Sequence, residues 1–214
     1  MGFPDLFKMA WRNLLRNRRR TLITAFSVAF GVLLSVTFTA SGDYSYTNLI
    51  NTSVTLGFGH LAVEPPGYND TPSLAKTLAG SGEIRVRTAA LPEVSGAYVR
   101  IFGQAMFASG AKSVGGQVIG FEPGTEVKAH NIYLRSLKEG EVPGPDDPGG
   151  ALIGAKMAEK LNLRIGKKLI YTLTDRNGEM VSGICRVRGI FATGENQVDA
   201  AVVLLPITRL RQVL

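Results

Sequence analysis

The chain has 214 residues, 45% of them hydrophobic and 19% charged, with a net charge of +7 and one cysteine, Cys185. The first 20 residues carry six basic side chains and one acidic, and the remainder carries 18 and 16. The basic excess is therefore local, which excludes a nucleic-acid-binding domain with a basic face, and the lone cysteine excludes an intrachain disulfide.

Residues 1–20 read as an amphipathic helix at the cytoplasmic membrane surface. Phe3, Leu6, Phe7, Ala10, Trp11, Leu14 and Leu15 recur at helical spacing. Lys8, Arg12, Asn13 and Arg16 fill the opposite face. A basic helix with Trp and Phe on its apolar side lies in the interface of a bilayer. Pro4 suits an early helical position, and a turn into the next element is expected over Asn17–Thr21. The run Arg18-Arg19-Arg20 suits anionic lipid headgroups, although fixing orientation alone would account for the same residues.

Residues 21–42 read as a transmembrane helix. No charge occurs between Arg20 and Asp43, and an apolar helix of about 20 residues spans the hydrocarbon core. Lys and Arg beside a span stay on the cytoplasmic side, so residues 1–20 are expected inside and 43–214 outside. The rival reading is a cleaved signal ending near Ala40-Ser41-Gly42, for which the apolar run is too long. Ser27, Gly31 and Ser35, spaced four apart, would let a second membrane helix approach closely.

The outer domain, 43–214, has an α+β pattern. Residues 44–56 can continue the membrane helix outward. Strands are expected at His60–Glu64, Glu83–Thr88, Ala97–Phe107 and Val114–Phe121, with helices at Ser73–Leu78 and Pro123–Arg135. Gly140–Gly150, rich in Pro, Gly and Asp, has linker composition and marks the boundary expected between two lobes. Beyond it come a strand at Ala151–Ile153, a helix at Lys156–Leu163, and strands at Leu169–Thr174 and Met180–Phe191. Asn177-Gly178 favours a tight hairpin between those two, since both residue types tolerate positive φ. Alternation in the second strand sets Cys185, Val187 and Phe191 on one buried face. A strand at Ala200–Leu205 and a helix opened by Pro206 end the chain.

Catalytic chemistry is absent from the pattern. Gly166-Lys167-Lys168 lacks the Ser/Thr and the upstream glycine of a phosphate-binding loop. His60 and His130 stand alone, without metal-ligand spacing. No serine occupies a nucleophile elbow, and Asp146-Asp147 sits in a Pro/Gly loop that favours a solvated turn. No catalytic, cofactor-binding or metal-binding residue is expected, and no ATP hydrolysis by the chain itself.

Several stretches resemble the permease subunits of the MacB/LolC/LolE/FtsX group of ABC transporters. FKMAWRNLLRNRRRTLITAFSVAFGV resembles their amphipathic helix and first span, and GHLAVEPPGY the start of their periplasmic domain in lipoprotein-releasing members. GALIGAKMAEKLNLRIGKKLIYTL and CRVRGIFATGENQVDAAVVLLPITRLRQVL resemble its later part, with matching spacing from Gly154 through Leu161 and Gly166 to Gly189, Phe191, Gly194 and Asp199. The resemblance implies a subunit in the cell inner membrane with its main domain periplasmic. It implies pairing with a second permease subunit, as homo- or heterodimer, and with an ABC ATPase subunit. Transport would concern lipoproteins, hydrophobic compounds or peptides, or transmission of motion alone. Lipoprotein release, the leading reading, rests on Gly59–Tyr68 only. Family permeases continue with three further spans after the point where this chain ends, at Leu214. A stand-alone, membrane-anchored interaction domain without transport is therefore the alternative.

Overall fold

The computed structural model describes residues 2–214; the expectations for Met1 and for the side chains of Phe3 and Leu15 lie outside the described residues. Two compact units divide between Asn51 and Thr52.

In the first unit, helix α1 spans Phe3–Arg16, with Pro4 in its opening turn. Gly2 N donates to the Asp5 carboxylate (3.3 Å), an acidic group suited to the positive end of the helix. Helix α2 spans Arg18–Ser53. The turn expected over five residues is confined to Asn17, with φ −114° and ψ 53°. No residue of α2 is buried within the chain, and the helix is long and apolar enough to cross a membrane. Three of its hydroxyls bond to carbonyls one turn back: Thr24 to Arg20 O (3.1 Å), Ser27 to Ile23 O (2.9 Å) and Thr37 to Leu33 O (2.8 Å). In hydrocarbon, where water is absent, each polar group needs such an internal partner.

The second unit opens with Val54–Phe58, a turn widened to π geometry. No helix or strand follows in residues 59–80. The strand expected at His60–Glu64 is absent, and Leu61 is 94% exposed. Lys76 instead ties the segment by donating Nζ to Gly67 O (2.6 Å). Residues 83–88, expected as a strand, belong to helix α3, Ser81–Ala89.

Seven strands form one sheet: β1 Ile101–Ser109, β2 Lys112–Phe121, β3 Leu137–Gly140, β4 Gly150–Gly154, β5 Lys168–Thr174, β6 Met180–Phe191 and β7 Val202–Pro206. Between them lie α4 Ile132–Arg135, α5 Ala155–Leu161 and α6 Asn196–Ala201, and α7 Ile207–Val213 closes the chain. The strand order is β3-β6-β4-β7-β2-β1-β5, and β5 pairs back onto β6. Six strands therefore close into a ring, with β3 beside it. The long β6 makes this possible. Its Met180–Arg186 half pairs with β5, and its Arg186–Phe191 half with β4. The class is α+β, as the sequence pattern predicts. Strands from both sides of Gly140–Gly150 pair with each other: β2 with β7, β1 with β5, β3 with β6. The loop joins β3 and β4, which both pair with β6.

All six ring strands send side chains into one cluster, among them Phe107, Val118, Ile153, Leu169, Tyr171, Val187 and Val203. Met157 and Leu161 of α5 and Leu210 of α7 join it. A second cluster, with Ile119, Phe121, Leu152, Phe191 and Leu204, lies under Tyr133 and Leu134 of α4. Central strands buried on both faces read as continuous apolar runs, which is why VVLLP and GALIG show no alternation. Cys185 and Val187 share the first cluster as expected, but Phe191 belongs to the second. The register between β4 and β6 slips by one residue past Val187. A bulge of that kind reverses the facing of everything after it, so Ile190 takes the inward place.

The β5–β6 connection is a five-residue loop rather than a two-residue turn. The Asp175 carboxylate accepts from the N–H of Asn177 and of Glu179, each at 2.8 Å, and those bonds keep Asn177 at ordinary φ. Where α6 crosses the end of β4, a Cβ on Gly154 would lie 2.2 Å from Asp199 O, so only glycine permits the approach. Asp199, 5% exposed, holds that crossing. It accepts from Thr193 N (2.9 Å), Thr193 Oγ1 (2.7 Å) and Gly194 N (3.3 Å).

Candidate functional site

Among the described residues no three His, Cys, Asp or Glu side chains gather as a metal site would require. His60 is exposed. His130 Nδ1 hydrogen-bonds Tyr98 Oη at 2.8 Å. Asp147 pairs with Arg188 (Nε to Oδ2, 2.6 Å) in a half-exposed bridge, so the Asp146-Asp147 step is a structural turn. Cys185 is buried and donates to Leu169 O at 3.4 Å.

The organised polar feature lies instead where Val54–Phe58 meets the sheet. Gly57 has φ 118°, a conformation that only glycine adopts without strain, and it ends the π turn. Leu56 O accepts from Tyr133 Oη at 3.3 Å. The Phe58 ring stacks parallel on Phe102, centroids 6.0 Å apart. Tyr133 in turn meets Phe191 edge to face at 5.1 Å. The Val54–Phe58 turn is thus seated against β1 and α4, over the second core cluster.

Beneath it lies a buried ion pair. Arg100 presents Nε to Glu126 Oε1 (3.2 Å) and Nη2 to Oε2 (2.6 Å). The side chains are 7% and 1% exposed. Asn131 Nδ2 adds a third bond to Glu126, at 2.7 Å. The same Asn131 caps α4, its Oδ1 accepting from Tyr133 N (2.9 Å) and Leu134 N (3.2 Å). One amide therefore links the ion pair to the helix that carries Tyr133. Arg100 Nη1 is buried without a hydrogen-bond partner, and a Cβ on Gly57 would come within 2.1 Å of it. The turn and the guanidinium fit only because Gly57 has no side chain.

Burial pushes the Tyr133 phenol up to about 12, opposed in part by the Arg100 charge. Burial also pushes the Cys185 thiol up to about 12, with Arg209 pulling the other way. Both groups stay neutral in the folded chain at a pH where the unfolded chain has ionised them. Their contribution is whole below the ordinary thiol value near 9 and is lost as the pH rises toward 12. Chemical denaturation across that window should show a falling midpoint. The fall should be shallower in Cys185→Ala, and a flat profile would mean that neither group is neutral and buried.

The arrangement seats the Val54–Phe58 turn against β1 and α4. Sequence reasoning did not single out Arg100, Glu126, Asn131 or Tyr133. The available signals were Asn131 as an N-cap before IYLR and the glycines in Leu56-Gly57-Phe58-Gly59.

Comparison with known proteins bears on the same stretch. A family model described as the MacB-like periplasmic core domain matches residues 21–214. No curated protein matches the chain. Among solved structures, the extracellular domain of the noncanonic ABC-type transporter YknZ from Gram-positive bacteria is similar at 15% identity and a TM-score of 0.46, covering 70% of this chain and 72% of that one. The periplasmic region of MacB from Actinobacillus actinomycetemcomitans is similar at 14% identity and a TM-score of 0.46, covering 69% of this chain and 64% of that one.

Proposed function

Since the chain belongs to the MacB-like periplasmic core domain family through residues 21–214, we propose that it is the N-terminal part of an ABC transporter permease subunit. In this reading α1 lies at the cytoplasmic surface of the inner membrane and α2 crosses it. The sheet domain works in the periplasm. Hydrolysis belongs to a separate ABC ATPase subunit, and a second permease subunit completes the assembly. Lipoprotein release is the finer proposal, supported by the resemblance around Gly59–Tyr68, with export of hydrophobic compounds beside it.

The observation that carries the reading is continuity. Helix α2 leads along the chain directly into the Val54–Phe58 turn, where Gly57 leaves helical geometry at φ 118°, and that turn is fastened by Tyr133, Phe102 and the fit of Gly57 over Arg100. A displacement of that turn acts directly on β1 and α4. A simple tether would need only a flexible linker.

Two measurements test this. An affinity-tagged chain extracted from membranes of its host should bring an ABC ATPase subunit with it. A reporter active only outside the cytoplasm, fused after Leu214, should be active. An inserted, outward-facing chain that never carries an ATPase favours the anchored interaction domain. A cytoplasmic Leu214 overturns the topology.

A further inference from the structure

The turn between α1 and α2 is an open cleft lined by Arg16, Arg18, Arg19 and Arg20, with Ile23 beside them. Thr21 fixes its shape, donating Oγ1 to Leu14 O at 3.1 Å. The only carboxylates in the sequence of this unit are Asp5 and Asp43, at the start of α1 and late in α2. Arg16, Arg19 and Arg20 thus lie well away in sequence from either carboxylate.

Two independent features set the depth of this cleft. Leu6, Phe7, Trp11 and Leu14 are each about half exposed or more, on one side of α1, with Phe7 and Trp11 stacked at 6.4 Å. Such a face sinks to the boundary of headgroups and acyl chains. From the other direction, α2 carries no charge between Arg20 and Asp43, so Arg20 marks one end of the stretch that hydrocarbon can accept. Both place the arginines at the level of lipid phosphates. Guanidinium groups present paired donors that match two phosphate oxygens at once.

We propose that the cleft at the α1–α2 turn binds the phosphate headgroup of an anionic phospholipid. This rests on the membrane reading given under Proposed function. It adds a ligand to residues whose charge would otherwise serve orientation alone.

The full chain is reconstituted in nanodiscs of phosphatidylcholine with a minor fraction of phosphatidylglycerol, re-extracted gently, and its retained lipid identified by mass spectrometry. Phosphatidylglycerol should be enriched over its share in the disc. R16Q/R19Q/R20Q should lower the enrichment by about fivefold for each charge removed. R16K/R19K/R20K keeps every charge and hence the orientation, yet should retain several-fold less, because an ammonium cannot make the paired contact. Equal enrichment in all three proteins leaves orientation as the whole role and overturns the proposal. So does loss of enrichment on adding inorganic phosphate alone, which would make the cleft a site for free anions. Arginine-dependent capture of the ATPase subunit without lipid selectivity would assign the cleft to a protein partner instead. Failure of the wild-type chain to enter the disc would defeat the membrane reading as well, whereas insertion without enrichment defeats only this proposal.

Discussion

Glu126→Ala is expected to destabilise the sheet domain by about 3–5 kcal/mol, because it leaves the Arg100 charge buried without its partner. The cost comes from the orphaned guanidinium more than from the lost attraction. Arg100 already has one buried N–H without a partner, so the pocket has nothing spare to offer. Asn131 would also lose its bond to Glu126 while keeping the α4 cap. Thermal unfolding of the full chain in detergent should drop by on the order of 10 °C. The double variant R100M/E126L, which removes both charges, should recover most of the loss. Lys156→Ala breaks an exposed pair with Glu159 and should change stability by less than about 1 kcal/mol. If Glu126→Ala behaves like Lys156→Ala, the pair is not buried as described. The same variant should speed amide exchange in residues 54–58, since freeing Arg100 loosens the floor under Gly57.

Phe191→Ala should cost a similar amount, about 3–5 kcal/mol. The ring is fully buried in the second cluster and meets Tyr133 edge to face. Removing it leaves a void below α4 that backbone in the middle of a sheet cannot collapse to fill. Denaturant titration should show a lower midpoint with an unchanged slope. Its effect on the helix end is indirect. Tyr133 would lose support and with it the bond to Leu56 O. A stability loss below about 1 kcal/mol would place Phe191 at the surface rather than in the second cluster.

The two variants sit on either side of what the sequence made legible. Strand β4 was readable as a short apolar run beside glycines, and β2, β5 and β6 from apolar residues recurring between Gly, Pro or charged residues, with clear alternation in β6. Helices α1 and α2 were readable from apolar residues at helical spacing and from an apolar run long enough to span a bilayer. The segment Glu83–Thr88 misled because Ile84, Val86 and Thr88 alternate as a strand would. No partner strand reaches it, so its backbone groups bond locally and form α3. Phe191 was assigned to the wrong face because a bulge leaves no mark in composition. The ion pair was not legible at all: Arg100 and Glu126 are 26 positions apart and meet only once β1 and the turn before α4 are in place. Gly154 is a further case, since the backbone that requires it, at Asp199, is distant in sequence.

The return of β5 onto β6 has a consequence for how other molecules recognise this domain. An open sheet ends in strands whose unpaired amides and carbonyls can template an added strand, native or aberrant. Here every strand of the sheet has at least two partner strands except β3, four residues long, whose Lys138 and Glu139 are exposed. Strand addition, a common way for extended peptides to bind, is thereby discouraged. A client or partner must read the surface through side chains, loops and helices. The same closure limits the exposed edge that a largely non-local sheet offers for pairing with its neighbours.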